Sequence, residues 1–175
     1  MGAAGDGERD VRPAGLWAGA PQPRRGRVLV ADDEPVTVDL VAFILRQVGY
    51  EVVGVTTCFQ ALAVALEPPM PDVILLDAMM PFLSGLDVCG RLRALPATAD
   101  VPIGIFSSAD EVDVRWRAAG ADGFLGKPFA IDAVPRFVAD VRGARERRLA
   151  AARGDVSDHP DPAVAEGRIR APRIE

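Results

Sequence analysis

The sequence predicts an α/β domain: a central five-stranded parallel sheet, layered between helices on both faces. Three observations predict it. Short, nearly wholly apolar runs recur at residues 28–31, 52–55, 73–76, 103–106 and 124–125. Such runs, bounded by turn residues, suit strands buried on both sides. Between them lie segments with apolar residues near helical spacing, such as Val38, Val41, Leu45 and Val48, and right-handed crossovers place such helices on both faces of a parallel sheet. Finally, four of the five runs end in polar side chains. That puts the polar groups at the carboxyl edge, where open α/β sheets bind their ligands.

Taken in order, residues 1–26 are rich in Gly, Ala, Pro and Arg without apolar periodicity. They read as a disordered leader, in which Trp17 is the one side chain suited to docking. Strand one, residues 27–31, runs into Asp32, Asp33, Glu34 and Pro35. A proline suits the first turn of a helix and the acids suit the positive end of its dipole. That helix extends to about Val48 and Gly49 ends it. Residues 51–55 form strand two. A short helix at 58–66 is stopped by Pro68 and Pro69. Strand three is the centre of the chain: Val73, Ile74, Leu75 and Leu76 run into Asp77 and the segment stops at Pro81. Ser84 and Gly85 lead into a helix through Leu95, which Pro96 ends. Residues 102–106 form strand four, weakened by Gly104 and followed by Ser107 and Ser108. A short helix spans 113–119. Strand five, residues 123–125, ends at Gly126, Lys127 and Pro128. The last helix starts near Ala130 and runs through Arg142, with a continuation past Gly143 as far as Arg153. Beyond Gly154 the mixture of charge and proline reads as disordered. The expected division is a leader at 1–26, one domain at 27–143, and a helix extension with a tail at 144–175.

Composition narrows the function. The net charge of −5 is concentrated in residues 27–143, which hold 16 acids against 9 bases; a direct nucleic-acid binder is not expected. Cys58 and Cys89 are too few for a disulfide framework and lack metal-site spacing, so buried free thiols are expected. His159 is the only histidine, which excludes His-rich metal sites and makes a Ser-His-Asp triad implausible. No apolar run is long enough for a membrane span or a signal peptide, and a reduced cytoplasmic setting is the default. Lys127 is the only lysine among 20 basic residues. Its compact ammonium, where the chain otherwise uses arginine, asks for a specific role.

The strand ends bring Asp32, Asp33, Asp77, Ser107 and Lys127 to one edge. Three carboxylates together repel unless a cation lies between them. Mg²⁺ suits the place, since it takes hard oxygen ligands and keeps several waters. Lys127 adds a mobile positive charge and Ser107 a hydroxyl, both able to pair with an oxyanion. Carboxylate, divalent metal, ammonium and hydroxyl together make a phosphoryl-transfer site with Asp77 as the nucleophile.

With these residues in place the chain resembles a known family. Residues 28–35, residues 74–81 with Gly85, residues 105–108 and residues 120–129 are similar, in order and spacing, to receiver domains of two-component response regulators. The resemblance covers about residues 27–142. It implies a flavodoxin-like (βα)5 fold and phosphoryl transfer from a sensor histidine kinase. Asp77 is then the phosphoacceptor. Asp32 and Asp33 hold Mg²⁺ together with Asp77, and the backbone carbonyl of Met79 completes the protein ligands. Ser107 is the switch hydroxyl, Lys127 pairs with the phosphoryl group, the Lys127-Pro128 bond is cis, and Phe124 is the aromatic switch. The chain departs from the family in having Ser107 where threonine is commoner, Phe124 where tyrosine is frequent, and Ser108 where alanine is frequent. The segment from Ser107 to Lys127 is also about two residues shorter than is usual in the family, which trims the helix after strand four or its loops.

The expected role is a single-domain response regulator that signals by phosphorylation-controlled protein–protein contact and catalyses only its own phosphotransfer and dephosphorylation. The downstream protein is unknown, and a phosphorylation-dependent homodimer stays open. The alternative is a phosphorylation-independent scaffold with the same fold, which need not keep the acids and Lys127. An aspartyl-intermediate phosphatase usually carries a second acid two residues after the nucleophile, where this chain has Met79. A flavin-binding relative would want a Ser/Thr/Gly-rich loop where Asp32, Asp33 and Glu34 stand. About 33 residues come after Arg142, too few for an ordinary DNA-binding effector. Within them Arg145, Arg147, Arg148 and Arg153 read as a solvated helix end or a basic stripe. Trp116 reads as packed on its own domain or as a partner anchor.

Overall fold

The computed structural model describes residues 25–108 and 112–154. The expectations for the leader, with Trp17, and for the tail, with His159, lie outside the described residues. Ten elements alternate: β1 (Arg27–Ala31), α1 (Pro35–Gln47), β2 (Glu51–Val55), α2 (Cys58–Leu66), β3 (Val73–Asp77), α3 (Gly85–Ala94), β4 (Ile103–Ser107), α4 (Val112–Ala118), β5 (Gly123–Gly126) and α5 (Ala133–Ala152). The strands form one sheet in the order β2-β1-β3-β4-β5, every neighbouring pair parallel.

The apolar runs explain the layering. Every residue of β3 and of β4 is buried, as a strand covered on both faces requires. Alternate strand residues feed two cores. Leu29, Ile74, Leu76, Ile103 and Ile105 point toward α2, α3 and α4. Val28, Val30, Leu75 and Phe106 point toward α1 and α5, where Val41, Leu45, Phe137 and Val141 meet them. Each such fully buried side chain contributes about 1.5–3 kcal/mol.

Local signals set the element ends. Pro35 opens α1, where its missing N–H is no loss. Gly49, at φ 92°, takes the left-handed conformation that ends it. Ser84 and Asp87 close a capping box on α3. The Thr57 hydroxyl accepts from Gln60 N at 3.2 Å to cap α2. Gly104 does more than weaken β4: a Cβ there would lie 2.7 Å from the Phe137 ring and 3.0 Å from Val141. Its absence lets α5 settle on the sheet.

Two expectations about side chains are now resolved. Trp116 is only 8% exposed and belongs to the core beneath α4, with the Arg117 guanidinium 4.5 Å over its ring centroid. The arginines on α5 are neither a solvated helix end nor a free basic stripe throughout. Arg145 donates to Ala99 O and to Asp100 at 2.8 Å, and Arg148 donates to Ala121 O at 3.0 Å and to Asp122 at 3.2 Å. The reason is Asp122. Its carboxylate is buried just before β5 and also accepts from Arg93 at 2.7 Å and from Ile103 N at 2.9 Å. A buried carboxylate needs such partners, and α5 passes within their reach. Cys58 and Cys89 are buried free thiols; burial pushes the Cys89 thiol up to about 11. Among the described residues no helix is long and apolar enough to cross a membrane.

Two substitutions test this packing. Gly104→Ala is expected to destabilise by about 1–3 kcal/mol through overpacking against Phe137. Gly90→Ala, where an added Cβ meets nothing within 4 Å, is expected to stabilise α3 by about 0.5–1 kcal/mol. Urea unfolding of both variants checks the contrast. Asp122→Ala strands Arg93 and the Ile103 N–H, so unfolding measurements are expected to show a loss of about 3–5 kcal/mol.

Candidate functional site

Register places the site. Ala31 pairs with Leu76 and Asp77 with Phe106, so Asp32 and Asp77 leave neighbouring strands side by side. Ser107 pairs with Gly126, which sets Lys127 one residue beyond. The chain order also reverses between β1 and β3, from which α1 and α3 depart to opposite faces. Such a reversal opens a crevice at the carboxyl ends of the strands.

In that crevice the Lys127 ammonium bridges two carboxylates. Its Nζ lies 2.6 Å from Asp32 Oδ2 and 2.8 Å from Asp77 Oδ1. The remaining oxygens accept backbone N–H groups: Asp32 Oδ1 from Glu34 at 3.1 Å, and Asp77 Oδ2 from Met79 at 2.8 Å. Asp32 is 0% and Asp77 4% exposed, whereas Asp33 is open to solvent. The Lys127 N–H donates to Ser107 O at 2.7 Å, and the Lys127-Pro128 bond is cis. Gly85 sits directly beneath: a Cβ there would lie 2.1 Å from Asp77 O, so α3 can start against the backbone of Asp77 only because residue 85 has no side chain.

Burial raises the Asp32 pKa, and the hydrogen bonds from Lys127 and the Glu34 N–H offset only part of that rise. Burial pulls the other way on Lys127, but its hydrogen bonds to Asp32 and Asp77 win and hold the ammonium above its ordinary value. Three carboxylates against one ammonium leave an excess of two negative charges, which a divalent cation matches. One oxygen from each of Asp32, Asp33 and Asp77 lies within 4.8 Å of the others. Ligands on opposite corners of a Mg²⁺ octahedron are about 4.2 Å apart, so the three oxygens are grouped on the scale of one such ion. The all-oxygen donor set fits Mg²⁺.

Asp33, Asp77, Met79 and Lys127 line one open cleft of about 600 Å³, with Asp32 buried behind Lys127. Ser107 is buried at the adjoining strand end, and its neighbour Ser108 faces the cleft. Phe124 is not in the cleft. It lies half-buried against the core that contains Trp116. Leu40 and Phe129, which sequence reasoning did not single out, supply apolar wall. Leu40 sits about one and a half turns into α1, and nothing in its spacing marks it as lining a site. Phe129 carries no signal of its own beyond closing the motif that ends at residue 129.

Comparison with known proteins agrees with this geometry. Residues 28–139 match the response regulator receiver domain, and the chain belongs to that family. It is 38% identical over 110 residues to the DNA-binding dual master transcriptional regulator RpaA of Synechocystis, covering 61% of this chain and 44% of RpaA. The chain spans about half the length of the curated relatives it matches. The chemotaxis response regulator CheY4 of Vibrio cholerae superposes with a TM-score of 0.62 at 29% identity, covering 66% of this chain and 97% of CheY4. The receiver domain of sensor histidine kinase PA1611 from Pseudomonas aeruginosa, solved with magnesium in its active-site cleft, gives 0.59 at 26% identity, covering 67% and 98%. Residues 28–139 thus form a receiver domain of the two-component type, with a flavodoxin-like fold.

The bridge predicts a pH-dependent defect. The raised folded pKa of Asp32 means that stability from its protonation is full below the unfolded value of about 3.9 and is lost as pH rises through the folded value. Removing the ammonium raises that folded value further. In metal-free buffer, Lys127→Met is expected to lower the unfolding free energy by about 3 kcal/mol at pH 7 and by clearly less at pH 4. Urea titrations at the two pH values check this; an equal loss at both would contradict it.

Proposed function

We propose that Asp77 accepts a phosphoryl group from a histidine of a sensor kinase, and that the protein signals by phosphorylation-controlled contact with another protein. The observation that carries this reading is the Lys127 bridge to Asp32 and Asp77, with Asp33 alongside, at the β1/β3 crevice.

The chemistry asks little of the protein beyond position and charge. An Asp77 carboxylate oxygen forms the new bond to phosphorus while the bond from phosphorus to the kinase imidazole breaks, and the imidazole leaves with its electron pair. The Met79 N–H holds the other Asp77 oxygen, which fixes the carboxylate's rotation. Lys127 gives up part of its contact with Asp77 and turns to the incoming phosphoryl oxygens. Asp32, Asp33 and Asp77, with the Met79 carbonyl, would hold Mg²⁺, which would neutralise charge on the transferring group. The magnesium in the active-site cleft of the PA1611 receiver supports a metal in this cleft. Ser107, one residue beyond the Asp77–Phe106 pair, supplies a hydroxyl to the phosphoryl group. Phe124, one strand away, reports the change by repacking near α4; lacking a hydroxyl, it does so through packing alone.

On this reading the protein is a phosphoacceptor that catalyses only its own phosphotransfer and dephosphorylation. Its partners are a sensor histidine kinase and a further protein, in the cytoplasm. RpaA is DNA-binding by name, yet the acidic excess of residues 27–143 here favours a protein partner over DNA.

The test is incubation with a small-molecule phosphodonor, with and without Mg²⁺, read by intact mass. A Mg²⁺-dependent gain of one phosphoryl group is expected, absent in Asp77→Asn. No gain, together with no binding of beryllofluoride, would leave the scaffold reading in its place.

A further inference from the structure

Phe82 is the one non-glycine residue among those described with a positive φ, at 70°. For a bulky side chain that conformation is a costly outlier, and glycine would make the same turn freely. The Phe82 side chain gains little from it in the free protein, where it is 91% exposed. Its ring meets that of Phe59, itself 59% exposed, with centroids 6.2 Å apart and planes tilted by 44°. The pair is well seated from below. Cys58 Sγ lies 3.5 Å from Pro81 O, which ties the start of α2 to the loop before α3. The Ser84–Asp87 capping box fixes the far end of that loop. Two aromatic rings are thus held out in solvent on an anchored turn.

The pair lies beside the Asp77 cleft. Met79 lines that cleft and is 59% exposed; it precedes Phe82 by three residues, at most about 11 Å of chain. The exposed parts of the two rings amount to roughly 300 Å², well short of the about 800 Å² per partner that a stable interface buries. The patch therefore suits a partner that is also held at the cleft, and any donor to Asp77 must be held there. A second copy of this chain is a poorer fit. Asp33 and Glu34 are exposed at the same edge of the sheet, and a second copy would set these acids against their own kind. The loops at that edge, residues 32–34, 56–60 and 78–84, hold no basic residue to answer them.

We propose that Phe59 and Phe82 form a second contact for the sensor kinase, receiving an apolar side chain that flanks its phosphodonor histidine. The contact rests on the reading of Asp77 as the phosphoacceptor. It serves binding and not the transfer step, because neither ring lines the cleft.

The test presents the full chain with two kinds of donor. Acetyl phosphate needs no docking surface. The phosphorylated transmitter of each sensor kinase in the same genome is offered to the unmodified chain, and the fastest donor is kept. Phe59→Ala/Phe82→Gly is expected to raise the KM for that kinase by about tenfold, as loss of aromatic anchors does. Its kcat should be retained, and its rate with acetyl phosphate should stay within about twofold, since only uniform binding is removed. Phe82→Gly alone is expected to unfold at no lower urea than the unmodified chain, because glycine relieves the backbone at this turn; a folding defect then cannot mimic the loss. An unchanged KM, an equal loss with both donors, transfer from none of the kinases, or a dimer in sedimentation that the double substitution abolishes would each overturn the proposal. If the unmodified chain takes neither a phosphoryl group from acetyl phosphate nor beryllofluoride, the phosphoacceptor reading fails first and this contact falls with it.

Discussion

The structure depends on one ammonium placed between two carboxylates. Asp32 and Asp77 emerge from adjacent strands, both buried, and neighbouring strands lie only about 4.8 Å apart. Two ionised carboxylates at that spacing repel strongly where water is scarce. Lys127 reaches both, at 2.6 and 2.8 Å, from the end of β5, two strands from β3 and three from β1. An arginine's planar fork would be larger and less mobile at this position, which gives the chain's sole lysine a physical reason. The same arrangement is unbalanced in charge, and that imbalance makes the cleft receptive to a divalent cation and then to a phosphoryl group.

The rest of the fold holds these groups in register. The fully buried β3 and β4 set the height of Asp77 and Ser107. α3 presses against the backbone of Asp77 through Gly85, and α5 presses against β4 through Gly104 and the Phe137 ring. At the opposite edge of the sheet, Asp122 ties β4, β5, α3 and α5 together. A charged cluster thus sits at each end of the strands. One is satisfied by arginines and inert, while the other is left short of cations.

Most of the site was legible in the sequence because strand ends are legible. Short apolar runs give the strands, parallel pairing aligns their carboxyl ends, and polar residues at those ends must then meet. Asp32, Asp33, Asp77, Met79 and Lys127 emerge from that argument alone or from the motifs that carry it. The Asp122 cluster was not legible, because Arg93, Arg145 and Arg148 are brought to it by packing between distant elements rather than by any local spacing. Phe129 belongs to a motif, but its place on the cleft wall is set by the turn of the chain after Lys127 and has no local mark.

The central claim is that Asp77, and not either neighbouring carboxylate, forms the acyl phosphate. Borohydride reduces an acyl phosphate to the alcohol, turning the modified aspartate into homoserine. Treating the phosphodonor-exposed protein in this way and mapping its peptides reads the nucleophile directly. The account predicts homoserine at position 77 alone, and only when Mg²⁺ was present. Homoserine at position 32 or 33, or at 77 without the metal, would contradict it.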